Sequence, residues 1–117
     1  MKAYEVLEKA LALIEREENW AQGDLRVGNA FCAEGACVIA AGGALKWEGS
    51  VQHYRALVDA SEYFDAFDAL YRYVPGSIYE FNDSHSHAEV VTLFQKAIRA
   101  EKQKAGIAID LPVEVPA

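Results

Sequence analysis

The sequence predicts an all-α fold: a compact bundle of four to five helices around a buried central helix of small residues, followed by an extended C-terminal arm. Apolar residues recur at spacings of three and four over long stretches, which is the period of a helix with one buried face. Ser or Asp followed three residues later by Glu stands before several of these stretches, the pattern of a helix N-terminus. The run from Ala30 to Ala41 is small and apolar nearly all round, so a helix there belongs inside. With 117 residues, 52% of them hydrophobic, the chain has the length and apolar content for one core without staples.

From Ala3 to Arg16, Tyr4, Leu7, Leu11 and Ile14 form an apolar stripe with Glu5, Glu8, Lys9 and Glu15 mostly between them, predicting an amphipathic helix. Glu17 to Gly28 loses this period and carries Asn19, Gly23, Asp24 and Gly28, so it reads as a loop anchored into the core by Trp20. Asn29 is the expected N-cap of the central helix, and Gly42-Gly43 its left-handed stop. Gly35 inside that helix costs about 1 kcal/mol against Ala, which implies tight packing at that point. Val51 to Val74 carries two helical patterns, Tyr54-Leu57-Val58 and Tyr63-Phe67-Leu70-Val74, with Asp59-x-x-Glu62 as a capping box between them and Pro75-Gly76 as the stop. Ser77-x-x-Glu80 opens a further turn of helix, which Asn82, Asp83 and Ser84 are expected to end. Ser86-x-x-Glu89 caps the last helix, which buries Val90, Phe94, Ala97 and Ile98 and exposes Lys96, Arg99, Glu101, Lys102 and Lys104.

After residue 106 the period changes. Ile107, Ile109, Leu111, Val113 and Val115 alternate with Ala108, Asp110, Pro112 and Glu114, so residues 1–106 read as the helical domain and 107–117 as the arm. Pro112 lacks a backbone donor, which restricts the arm to an edge strand or a groove on its own domain or on a second subunit.

Composition excludes several classes of function. A net charge of −7, with eleven Lys and Arg scattered along the chain, disfavours nucleic acid. The longest apolar runs fall far short of the roughly 20 residues a membrane span needs, and the N-terminus has no apolar leader pattern, so a cytoplasmic location is expected. Cys32 and Cys37, five apart on a helix, point in different directions and are expected to stay reduced.

The residues able to carry chemistry are few. Cys32 near the start of the central helix has the placement of many cysteine nucleophiles, with His85 or His87 as base and Asp83 or Asn82 to orient it. The alternative is a small buried hydrophobe among Phe31, Ala33 and Ala36. Asp83, His85, His87 and Glu89 alternate as metal ligands would on an extended backbone, but a helix start at Ser86 makes His87 and Glu89 diverge, so no metal site and no cofactor is expected. Asn82-Asp83 otherwise reads as a turn closed by side-chain bonds to backbone. Tyr63, Phe64, Phe67, Tyr71, Tyr73, Tyr79 and Phe81 supply either core or an aromatic-walled cleft.

The ordered string Trp20-x-Gln22-Gly23, Phe31-Cys32-x-x-Gly35-Ala36, Ser77-Ile78-x-x-Phe81-Asn82-Asp83 and Ala88-Glu89-Val90-Val91, with Ala97-Ile98, resembles a bacterial and phage domain-of-unknown-function family of small helical proteins. The resemblance implies an all-helical domain with no established activity. It departs from the family pattern at Phe81, where Trp is usual, and at Ser86-His87, where an Arg-Thr pair is usual. Its motifs contain Trp20, Gln22, Cys32, Asn82 and Asp83, which converge on one site if the loops meet above the central helix, with Trp20, Gln22, Phe81 and Asn82 as the candidate binding residues. The expected function is a non-enzymatic protein-interaction or structural module, with a protein partner or a second copy bound through the arm. The alternative is a small cysteine-dependent hydrolase or transferase using Cys32, with His85 or His87 and Asp83.

Overall fold

The computed structural model describes residues 1–48, 51–56 and 61–107. Five α-helices are found among them: α1 (Ala3–Ile14), α2 (Ala33–Ala40), α3 (Ser61–Tyr71), α4 (Ile78–Ser84) and α5 (His87–Lys104), with a short 3₁₀ turn at Glu17–Asn19. Helices α1, α2, α3 and α5 pack together, α1 touching each of the other three. Their shared core holds Val6, Leu7, Ala10 and Ile14 of α1, Ala36, Cys37 and Val38 of α2, Ala66 and Leu70 of α3, and Val90, Phe94, Ala97 and Ile98 of α5. As its composition requires, α2 is buried on nearly every face from Ala33 to Val38.

Two antiparallel hairpins correct the expectation of a purely helical fold. Strand β1 (Arg26–Val27) pairs with β2 (Ala30–Phe31), and β3 (Gly43–Glu48) with β4 (Val51–Ala56). In the first hairpin Val27 faces Ala30 across Gly28-Asn29, with Gly28 at φ 61°. A positive φ at the first of two turn residues is what a tight hairpin of matching twist demands, and Gly adopts it without strain. Ala30 and Phe31 are therefore strand, and the helix starts three residues later than Asn29 would have started it. In the second hairpin the register runs from Gly43↔Ala56 to Glu48↔Val51, so Val51 to Ala56 is strand where the spacing suggested helix. Leu57, Val58 and Asp59, on which the rest of that helical pattern and the Asp59 cap depend, lie outside the described residues.

Close approach explains Gly35. A Cβ there would lie 2.2 Å from the Leu25 carbonyl oxygen, so the loop before β1 rests directly on the α2 backbone. Helix α4 runs through Asn82 and Asp83 to Ser84, longer than the single turn expected, because Ser77 caps it through the Glu80 amide and its far end is held from outside. Helix α5 begins with the Ser86–Glu89 capping box as read from sequence. Lys102, expected in solvent, is instead buried against α1 and pairs with Glu8 at 3.2 Å. The Ile107 amide donates to the Lys102 carbonyl and closes α5; the arm beyond it, residues 108–117, lies outside the described residues. No helix among the described residues is long and apolar enough to cross a membrane.

Candidate functional site

The loop carrying Trp20, Gln22 and Gly23 meets both the N-terminus of α2 and the C-terminal half of α4, and Asn82 stands where the three come together. Asn82 is fully buried. Its Oδ1 accepts from Trp20 Nε1–H at 2.7 Å and from the Ala33 amide at 3.0 Å. Its Nδ2 donates to the Ala21 carbonyl at 2.9 Å and to Asp83 Oδ1 at 3.1 Å. One carboxamide thus ties the loop to two helices with every polar atom satisfied, the condition under which a buried polar group holds a fold together.

The neighbouring residues extend this clasp. Gln22 Nε2 shares its hydrogens among the carbonyls of Asn82, Asp83 and His85, at 3.1 to 3.2 Å, which serves the C-terminal acceptors of α4 that lack intrahelical donors. Asp83 Oδ1 accepts from the Gly23 amide at 2.9 Å. In sequence this reads as Trp20-x-Gln22-Gly23 bonded to Asn82-Asp83.

Cys32 is the N-cap of α2 and not a residue inside its first turn, as the Asn29 cap would have made it. Its backbone is extended, its amide donates to the Leu25 carbonyl at 3.1 Å, and Sγ accepts from the Gly35 amide at 3.4 Å. With Asn82 holding the Ala33 amide, the exposed-donor end of α2 is closed from two sides. Burial, only partly offset by the Gly35 amide, pushes the Cys32 thiol up to about 11, with Glu34 and Asp83 adding to the rise. Burial raises Cys37 as well. Both cysteines are buried free thiols that stay protonated near neutral pH.

The two histidines are attached elsewhere. His87 Nε2 lies 2.6 Å from the Ile14 carbonyl at the end of α1, with its ring 5.5 Å from that of Trp20. His85 Nδ1 lies 2.9 Å from the Phe81 carbonyl and 3.0 Å from Ser84 Oγ, and its ring stacks on Phe81 at 3.8 Å and 13°. A carbonyl only accepts, so each of these nitrogens carries a proton. Neither imidazole is hydrogen-bonded to Cys32 or Asp83. Glu89 is held below the usual carboxylate range by the Ser86 amide and hydroxyl, the electrostatic signature of its cap. No group of three or more His, Cys, Asp or Glu able to hold a metal ion occurs among the described residues.

Beside the clasp, two open clefts flank Phe81. The larger, about 310 Å³, runs between α4, the turn after α3 and α5, and is lined by Tyr73, Phe81, Leu93, Thr92, Glu89 and Lys96, with Ala88 at its edge. The smaller, about 160 Å³, lies on the other side, among Pro75, Ser77, Glu80 and His85. Of the aromatic residues singled out in the sequence, Tyr63 and Phe67 are core, while Phe64, Tyr71, Tyr73 and Tyr79 face solvent.

The structure therefore gathers Trp20, Gln22, Cys32, Asn82 and Asp83 around the start of α2 and sends His85 and His87 to the carbonyls of Phe81 and Ile14. What sequence reading missed are the backbone partners: the Ala21, Leu25 and Ile14 carbonyls and the Ala33 and Gly23 amides, which carry no side-chain signal.

Fold and site together define a small, mainly helical domain closed by a polar clasp. The chain belongs to the Family of unknown function (DUF6197), whose model matches residues 1–100. Comparison with curated proteins gives no match, and comparison with solved structures gives none.

Proposed function

We propose that this chain is a non-enzymatic interaction or structural module of the cytoplasm that binds a protein partner, a second copy of itself included, through its C-terminal arm. One observation carries the reading. The polar atoms of the residues that could do chemistry are engaged in joining backbone to backbone: Cys32 and Asn82 on α2, Gln22 and Asp83 between loop and α4, His87 on α1. A nucleophile, in contrast, needs an accessible thiolate and a base within hydrogen-bond reach. Two free thiols agree with a reducing compartment. The alternation of Ile107, Ile109, Leu111, Val113 and Val115 supplies the arm with an apolar face in want of a surface.

Sedimentation of the full chain beside a chain ended after Ile107 tests the partner. A dimer that becomes a monomer with an unchanged melting temperature supports the arm; equal masses refute it.

The second reading, a cysteine-dependent hydrolase or transferase using Cys32 with His85 or His87 and Asp83, is favoured by the closeness of Asp83 to the Cys32 end of α2. Cys32→Ser separates the two: Ser retains an N-cap oxygen and the fold, while thioester or ester turnover, if the chain has any, is lost.

A further inference from the structure

We propose that the 310 Å³ cleft beside Phe81 is a binding site for a small amphipathic carboxylate, an aromatic or aliphatic acid whose apolar body lies on Phe81 and Leu93 and whose carboxylate meets Lys96. This goes beyond the module reading and does not depend on it. The volume stands at the lower end of the roughly 300–1,000 Å³ typical of small-molecule sites. Its lining combines the aromatic residues Tyr73 and Phe81 with buried Leu93, which supplies apolar surface for the body of a ligand.

The polar groups set the orientation. Ala88, Glu89, Thr92, Leu93 and Lys96 lie on one face of α5, one residue and three residues apart in alternation, so they line the cleft lengthwise. Glu89 occupies the end nearest the helix start, and its carboxylate is already engaged by the Ser86 amide at 3.0 Å. Lys96 stands about 10 Å further along the axis, at seven residues of 1.5 Å rise. Among the described residues no carboxylate pairs with Lys96, and no hydrogen bond holds the Thr92 hydroxyl. In a chain of net charge −7, an unengaged ammonium and hydroxyl beside an aromatic hollow select an anion with an apolar body. The engaged carboxylate at the opposite end disfavours the reverse pose.

Amide chemical-shift titration of the full chain with 3-phenylpropanoate, 3-phenylpropanamide and 3-phenylpropylamine tests the assignment. Saturable shifts confined to Tyr73, Phe81, Thr92, Leu93 and Lys96 are expected. The acid should bind about three- to fivefold tighter than the amide, the factor a solvent-exposed charge pair supplies. Lys96→Gln should erase that preference while leaving amide binding unchanged. Ala88→Phe, which fills the mouth of the cleft from an exposed position, should abolish both without changing the melting temperature. Absence of saturable shifts, shifts that map elsewhere, equal affinity for acid and amide, or preference for the amine at Glu89 would each overturn the proposal.

Discussion

At the residue scale, Asn82 and Cys32 decide how the site is understood. Removing the Asn82 carboxamide strands the Trp20 indole N–H, the Ala33 amide and the Ala21 carbonyl together. A buried unsatisfied group costs about 1–3 kcal/mol, so Asn82→Ala should lower the urea-unfolding free energy by about 3 kcal/mol or more. A loss under about 1 kcal/mol would mean that water takes over these partners, and the clasp would not be what closes the loop. Cys32 leaves a pH signature. Its thiol rises from the ordinary 9.0 to about 11 in the folded chain, so the unfolded chain gives up its proton first. Stability is therefore complete below about pH 9 and falls as pH climbs from about 9 to about 11. Urea midpoints across that range should decline, and Cys32→Ser should flatten part of the decline; a midpoint that holds steady would place the thiol in solvent. The sequence singled out both residues. Their proximity was legible only through family-like motifs, since bonds from side chain to backbone leave no mark on the partner's residue type.

At the scale of elements, the helices were legible and the strands were not. The stripe of α1 and the Ser86–Glu89 box of α5 match their structures because period and cap agree. The hairpins escaped because β1 and β2 have two residues each, too few to show alternation against the small-residue run that follows. In β4, Tyr54 stands at a helix-like distance from Leu57 and Val58, and it is cross-strand pairing with Gly43–Glu48, which local spacing does not show, that settles the backbone. Gly35 was read correctly as a point of tight packing, and the structure names the neighbour. Gly35→Ala drives a Cβ to 2.2 Å from the Leu25 oxygen, which is backbone and cannot swing away. Overpacking of this kind costs about 1–3 kcal/mol, and the Leu25–Cys32 bond should loosen with it. Unfolding curves for the variant check the first effect and hydrogen exchange at the Cys32 amide the second; a variant as stable as the parent would show that the loop does not rest on α2.

For the whole molecule, the clasp turns a set of helices into a closed domain: a loop between α1 and α2 is tied to α4, sixty residues further along the chain. Long-range ties of this kind make the region open with the molecule instead of ahead of it. An enzyme built on Cys32 would need the reverse, a thiol reachable in the folded state. Alkylation of Cys32 in the Cys37→Ala background, followed from pH 6 to 9 at rising urea below the unfolding midpoint, reads that difference directly. The clasp predicts slow modification whose rate climbs with urea in step with the global unfolding constant. Fast modification that ignores urea, with an apparent pKa well below the ordinary 9.0, would contradict it and make Cys32 a nucleophile.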